Sequence, residues 1–538
     1  MIHVSIQHHA YRSYIETPNC IVIGKAFYDD RPYFDNQLSQ LVSSWHTEKE
    51  FVEGIQKLNG FYALVINHDK QLFAAVDRVR SIPLFYGCKG NDFFLSDSAE
   101  WIKQQVDNKQ LNPLAKEEFL LTGYVTGQDT LFPDVKQLQA GEAVIVKEID
   151  QGLSVNPIRY YLYVHEYSLE KSMEQLMEEH DQVLVRVFNR LIQVANGRTL
   201  VIPLSGGYDS RLIVLMLKRL GYENIITFSY GRVGNSESIA SKKIAECLGV
   251  KWEFVEYSNG LWYQWYHSVE YKQYVHFAGG CTSLPHIQDW PAVWQLNISK
   301  KIPKDSIFIP GHSADLPAGS RSTSVPELYN NRPLNVMKVN NEVLNYHYSL
   351  FNWRDCKDEQ KVLYMSRVNR TLENVKEFPD GASAFEFWDL TERQAKFIIN
   401  SLRVYEFWGY DWWMPFWDYE YMQFWCSVAL NFRRNQILYK RYVDELSHDI
   451  KGLRLDEKQP SVMNRIRKMV TPYLPTSVKR RIKLIARSNK RSLVKEYQTN
   501  PLAWWGIFSI DEYLLHAPNY ANINSALAID YINYVKNE

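Results

Sequence analysis

Between Cys20 and Val146 short apolar runs alternate with turn residues: CIVIG, GFYALVI, QLFAAV, IPLFYG, DFFLS and GEAVIV. Such runs predict β-strands joined by tight connections, with one helix near 36–45. From about Ser168 the pattern changes to helical periodicity over 166–196, which places a domain boundary near 155–168. Strand–helix alternation follows. Thr199–Leu204 (TLVIPL) reads as a fully apolar strand, then comes a glycine turn, then a helix over Arg211–Leu220 closed by Gly221. A strand at Asn224–Tyr230, a helix at Ser236–Leu248 ending at Gly249, and a strand at Lys251–Tyr257 come next. A further strand, Ser306–Pro310, enters the loop Gly311-His312-Ser313-Ala314-Asp315, and the chain to about residue 455 is helical and rich in Trp, Tyr and Phe. This alternation predicts a parallel sheet covered on both faces, with ligands bound beyond the carboxyl ends of its strands.

At 538 residues the chain exceeds what one core organises, so two or three domains are expected. Hydrophobic residues at 46% and charged residues at 23% exclude global disorder. The 61 basic and 61 acidic side chains cancel, so no overall field draws the molecule to nucleic acid or to an acidic membrane. Six cysteines without a C-x-x-C pair argue against a disulfide framework, a zinc knuckle or an iron–sulfur site. The start MIHVSIQHHAYRSYIE lacks signal-peptide character, and no apolar stretch reaches about 18 residues, so a cytoplasmic protein is expected. After Asp456 the composition turns basic: Arg465, Arg467, Lys468, Lys479, Arg480, Arg481, Lys483, Arg487, Lys490 and Arg491. A solvated helical extension is the common cause of such a run; contact with a membrane surface or a polyphosphate is the sharper alternative.

The chemistry centres on Ser205-Gly206-Gly207-Tyr208-Asp209-Ser210, between an apolar strand and an apolar helix. Glycines let the backbone approach a polyphosphate, Ser205 and Ser210 offer hydroxyls, and the helix start offers free N–H groups. Asp209 would repel phosphate directly, so its fitting role is as a ligand for Mg²⁺, which bridges carboxylate and phosphate oxygens. No G-K-[ST] ending is present, so transfer of a γ-phosphate is not indicated. An ordinary glycine turn is the bland alternative.

With these residues in view, the chain resembles the asparagine synthetase-like branch of the ATP pyrophosphatases. Phe228-Ser229-Tyr230-Gly231 is similar to the family's second-strand segment beside adenine, and Pro310-Gly311-His312-Ser313-Ala314-Asp315 stands where the family has S-G-E-G-S-D. Trp413-Met414-Pro415-Phe416-Trp417-Asp418 resembles its R-V-P-F-L-D, and Lys440 in ILYKRYVDEL falls where the family places a catalytic lysine. The resemblance implies that ATP is split between its α and β phosphates, that a carboxylate becomes an acyl-adenylate, and that ammonia or an amine displaces AMP. It implies ATP contacts at Leu204, Ser205, Gly206, Gly207, Asp209, Ser210, Tyr230, Pro310 and Gly311. Mg²⁺ would be held by Asp209 and Asp315, and Lys440 would stabilise developing charge. His312 replaces the family glutamate and Asp411 precedes the P-F motif; together they are expected to form a base dyad, with a core histidine as the alternative.

The β-rich start resembles the family's N-terminal-nucleophile glutaminase domain. Leu58-Asn59-Gly60-Phe61-Tyr62-Ala63 corresponds to L-x-G-x-F-A. Asp77-Arg78 with Ile82-Pro83-Leu84-Phe85-Tyr86-Gly87 corresponds to D-R-x-G-x-x-P-L-Y-Y-G, and Phe94-Leu95-Ser96-Asp97 to F-A-S-E. The nucleophile such a domain requires is not in Met1-Ile2, and Cys20 lies inside a strand, so glutamine hydrolysis is not expected. The expected fold is therefore α/β and α+β multidomain. An Ntn-hydrolase-like β-sandwich with helices occupies 1–160. A parallel-sheet, adenine-nucleotide α-hydrolase-like (PP-loop) synthetase domain with a helical C-terminal part occupies 165–455, and a basic, largely helical extension 456–538. Expected partners are a small-molecule carboxylate, an ammonia or amine donor and a separate ammonia source, without nucleic acid. Asparagine, an acidic sugar or a secondary metabolite are the products in view. A tRNA-modifying enzyme and a silent nucleotide-binding scaffold are the competing readings.

Overall fold

The computed structural model describes residues 1–9, 11–68, 70–150, 152–168, 170–330, 333–348, 358–373, 378–448, 450, 453 and 489–537. Of the basic run, only Lys490 and Arg491 lie among them, at the start of the helix Lys490–Thr499; the other eight basic positions named above lie outside the described residues.

Sixteen described strands form three sheets. The first has β1 (Ile2–Ser5), β8 (Asp92–Ser96), β7 (Phe85–Lys89) and β9 (Lys136–Gln137) in that spatial order. The second runs β11 (Gly152–Arg159), β10 (Glu142–Ile149), β6 (Gln71–Val76), β5 (Leu58–His68), β3 (Cys20–Tyr28), β2 (Tyr14–Glu16), with β4 (Arg31–Tyr33) also on β3. Alternating side chains of this antiparallel sheet enter two cores, as a period of two requires. Val22, Ala26, Tyr62, Leu64 and Ile66 pack beneath the helices Asn36–Ser43 and Glu48–Lys57. Ile23, Phe27, Phe61, Ala63 and Val65 join the larger core. The helix expected near 36–45 is Asn36–Ser43, and a second helix, Glu48–Lys57, follows it. Thr47 and Glu50 form a capping box that starts the second one afresh.

The third sheet is wholly parallel, in the order β14 (Lys251–Glu256), β13 (Ile225–Gly231), β12 (Leu200–Pro203), β15 (Ile307–Phe308), β16 (Asp411–Trp412). Helices Tyr208–Arg219 and Ser236–Leu248 link β12 to β13 and β13 to β14. The chain leaves β12 toward one edge and returns beside it as β15, so the strand order reverses between these two strands. The loops after β12 and β15 therefore open side by side, at the place where parallel sheets take ligands. The mixed α/β architecture with a parallel sheet and a helical C-terminal part agrees with the fold predicted from sequence.

The larger core runs without interruption from the first sheet into the helices of the C-terminal half. Phe61 meets Trp412 and Trp413 at ring-centroid distances of 5.5 and 4.7 Å. Lys25 of β3 donates to Asp411 of β16 at 2.6 Å across the same boundary.

Candidate active site

The sequence TLVIPL ends as a buried strand and Gly207 serves as N-cap of the helix Tyr208–Arg219, which thus begins three residues earlier than its apolar pattern suggests. No side chain caps this helix, so its first-turn amides remain donors for an anion. Within the loop, Ser205 N donates to Ser210 Oγ at 3.0 Å and Gly207 N to Ser205 Oγ at 3.1 Å. The carboxylate of Glu237 accepts from Gly206 N at 3.0 Å. An anionic oxygen thus already sits on one of the loop amides, and nothing local in the sequence marks Glu237 for that place. Arg211 braces the turn from below by donating to the Gly206 carbonyl at 3.1 Å.

Gly311 packs against the start of the same helix. A Cβ added there would lie 3.1 Å from Ser210 N and 3.3 Å from the Asp209 Cβ, so the approach of the two loops depends on this glycine. It brings Asp315 close enough to Asp209 for their charges to interact: burial first, then the Asp315 charge, push the Asp209 pKa upward. The Tyr439 hydroxyl and the backbone amides of Asp315 and Ala314 pull the other way. Arg321, paired with Asp389 at 2.6 Å, is also near enough for its charge to act on Asp315. No three His, Cys, Asp or Glu side chains gather as a metal-ligand set among the described residues. A cation between Asp209 and Asp315 would therefore complete its shell with oxygens from outside the chain. Two hard carboxylates with open coordination suit Mg²⁺, which keeps phosphate and water ligands.

Tyr439 was not singled out in the sequence. Its hydroxyl donates to Asp209 Oδ1 at 2.8 Å, and burial beside Asp209 raises its pKa well above the ordinary value, which keeps it a donor. The bond docks the helix Ile437–Leu446 on the loop, with Tyr208 reaching Asp444 at 3.3 Å. Lys440 is the next residue, half-buried, its Nζ donating to the Asn435 carbonyl at 3.0 Å. The adjacency of Tyr439 and Lys440 in ILYKRY could have revealed this latch.

Leu204 is buried and its N–H donates to the Phe228 carbonyl at 2.9 Å. Tyr230, at the carboxyl end of β13, stacks on Tyr257 at 5.2 Å and accepts from Gln288 at 3.0 Å. Pro310 is buried at the entry to the Gly311 loop.

The expected pairing of His312 with Asp411 is not formed. His312 Nε2 and Ser401 Oγ lie 2.7 Å apart, whereas Asp411 binds Lys25 at 2.6 Å and Arg198 at 3.2 Å. Register explains the separation. Asp411 pairs with Ile307, and Ile307 with Leu200, so Asp411 is level with the start of β12, five residues before Ser205. His312 follows the opposite, carboxyl end of the sheet. Burial, reinforced by the nearby charge of His286, pushes the His312 pKa down to about 3, so the ring is neutral at pH 7. His286 in turn lies 3.7 Å from Asp289, a pair that the sequence did not bring forward.

Residues 42–161 match the family model described as a glutamine amidotransferase domain, and residues 192–269 the one described as asparagine synthase. Over 214 residues the chain is 25% identical to the microcin J25-processing protein McjC of Escherichia coli, covering 39% of this chain and 38% of that protein. Over 208 residues it is 26% identical to a probable glutamine-hydrolysing asparagine synthetase of Acanthamoeba polyphaga mimivirus, covering 37% and 34%. The matches thus span little more than a third of these relatives. A 50-residue segment is 50% identical to the 7-cyano-7-deazaguanine synthase of Methanocaldococcus jannaschii, covering 9% of this chain and 22% of that one. Among solved structures, the NH3-dependent NAD synthetase of Campylobacter jejuni aligns with a TM-score of 0.20 at 12% identity, over 42% of this chain and 94% of that chain.

Proposed function

We propose that this chain, a divergent member of the asparagine synthetase family, activates a carboxylate with ATP and converts it to an amide. The observation that carries the reading is the meeting of Asp209 and Asp315 at the strand-order reversal, latched by Tyr439 to the helix of Lys440. The amides of Gly206 and Gly207 and the hydroxyls of Ser205 and Ser210 hold pyrophosphate, with Glu237 yielding its place on Gly206. Leu204, Tyr230, Pro310 and Gly311 line the adenosine. Mg²⁺ bound by Asp209 and Asp315 would neutralise charge on the leaving pyrophosphate.

The substrate carboxylate attacks the α-phosphate, pyrophosphate leaves, and ammonia or an amine then displaces AMP from the acyl-adenylate. Lys440 offsets charge on the phosphate and on the tetrahedral intermediate. Neutral His312, oriented by Ser401, takes the proton from the attacking nitrogen. Asp411 serves instead as the ion-pair partner of Lys25 and Arg198. Residues 1–160 form an amidotransferase-like part without glutaminase activity, 165–455 the synthetase, and 456–538 an extension. Cys20 supports the missing glutaminase: it is buried in β3, with Ser43 Oγ at 3.0 Å and Ser39 Oγ at 3.3 Å from its sulfur. Ammonia or an amine thus comes from elsewhere. The acceptor is aspartate, an acidic sugar or a secondary-metabolite acid. The five described cysteines are free and no described helix is long and apolar enough to cross a membrane, which suits a cytoplasmic setting.

The reading is tested by incubating the protein with ATP, Mg²⁺, ammonium and, in turn, aspartate, uronic acids, amino acids and peptides. Formation of AMP and pyrophosphate that depends on one acid class supports it. ATP binding without turnover across the whole panel would favour a nucleotide-binding scaffold instead.

A further inference from the structure

Away from the nucleotide loop, a cavity of about 150 Å³ separates the first sheet from the helical layer, walled in part by Arg12, Arg80, Asp97, Thr282, Asn400 and Arg403. Three guanidinium groups converge there. Arg12 and Arg403 share Glu406, Arg12 Nε at 3.0 Å and Arg403 Nη1 at 2.7 Å. Arg403 Nη2 also donates to the Ser81 carbonyl at 2.6 Å, but its buried Nε has no partner. Arg80 has no carboxylate partner among the described residues. Its Nε donates to the Leu138 carbonyl at 2.9 Å, its guanidinium lies 5.5 Å from the Phe85 ring centroid, and its buried Nη2 is unpartnered.

Arg80 is 3% exposed and Arg403 5%. Burying a guanidinium without a counter-ion is costly, and a second cost falls on the same residue. Arg80 has φ +57°, the left-handed region that side chains avoid, and it stands where the D-R-x-G pattern has its glycine. Burial, with Arg403 close by, drives its pKa down to about 9. The acidic groups of the wall do not answer this charge. Glu100 is paired with Lys103 at 2.7 Å, and Asp97 accepts from Gln7 N at 3.2 Å; burial raises the Asp97 pKa, against the opposing pull of the Arg12 and Arg403 charges.

We infer that this cavity binds a small carboxylate, held by the guanidinium groups of Arg12, Arg80 and Arg403 that wall it. Planar guanidinium forks match the two oxygens of a carboxylate, and the volume suits a small acid rather than a nucleotide. The wall draws on both halves of the chain, and Asn400 and Arg403 flank Ser401, the partner of His312. Occupancy would therefore brace the segment that orients the candidate base.

The test is thermal denaturation and titration calorimetry of the full chain with sodium acetate, sodium succinate and inorganic phosphate against sodium chloride at equal ionic strength. The native protein should melt higher, dose-dependently, with a carboxylate and not with phosphate or chloride. Arg80→Gly, relieved of strain and of an unpaired charge, should melt higher than native without ligand and bind the carboxylate at least tenfold more weakly. Arg403→Gln provides the same binding comparison should the glycine variant not fold. A native protein indifferent to carboxylates, an equal response to phosphate, or unchanged carboxylate affinity in the folded variants would overturn the inference.

Discussion

The Tyr439 hydroxyl donates to Asp209 Oδ1 at 2.8 Å, fastening the helix that carries Lys440 to the loop proposed to hold pyrophosphate. A hydrogen bond to a charged group contributes about 1.5–3 kcal/mol. Tyr439→Phe should therefore lower carboxylate-dependent pyrophosphate release by about tenfold or more, and should raise the Mg²⁺ concentration for half-maximal rate. Initial rates across a Mg²⁺ series check both; an unchanged Mg²⁺ dependence would leave Tyr439 as packing only.

Glu237 competes for the Gly206 amide that the pyrophosphate is proposed to use. Glu237→Ala should lower the KM for ATP by about two- to fivefold, the scale of an exposed charge interaction, with kcat little changed. A raised KM would mean that Glu237 helps to hold the nucleotide rather than standing in for it.

His312 and Asp411 lie toward opposite ends of the parallel sheet, so their variants should behave differently. His312→Gln should depress turnover by a similar factor across neutral pH, where the ring is already uncharged, while ATP binding persists. Asp411→Asn should lower the melting temperature, because Lys25 and Arg198 lose their partner, and leave kcat near native. Equal losses of kcat in the two variants would restore the dyad.

A fully buried network supports the helical half: Glu386 accepts from Arg433 and Ser322 and lies 2.9 Å from His165 Nε2. Burial alone would raise the Glu386 pKa, but Arg433 and His165 outweigh it and hold the carboxyl below its ordinary value. A depressed carboxylate stabilises the fold above its unfolded pKa, and this contribution is lost as pH falls through the lower, folded value. Glu386→Gln should cost about 3–5 kcal/mol at pH 7 by leaving Arg433 unpaired, and the gap from native should narrow below pH 4. Urea melts at both pH values measure it.

Much of this was legible in the chain because local pattern and global fold agree. TLVIPL followed by SGGYDS and an apolar helix reads directly as strand, glycine turn and helix start, and the β-rich beginning shows its period of two. Asp411 was misjudged because its role depends on strand register, and two residues of β16 carry no register signal of their own. Tyr439 was overshadowed by its charged neighbour Lys440, and Glu237 reaches Gly206 only because β12 and β13 are adjacent. Arg80 carries no local signal beyond replacing the glycine of the D-R-x-G pattern; its positive φ and unpartnered nitrogen are properties of the fold.

In the proposed reaction a carboxylate oxygen bonds to the α-phosphorus of ATP within the loop Ser205–Ser210. This step is tested most directly with the acid class selected by AMP formation, labelled with ¹⁸O in its carboxylate and turned over with ATP and ammonium. One ¹⁸O atom is expected in each AMP released by the native protein, and no AMP from Asp209→Asn. Unlabelled AMP, or ADP and labelled inorganic phosphate in its place, would contradict it.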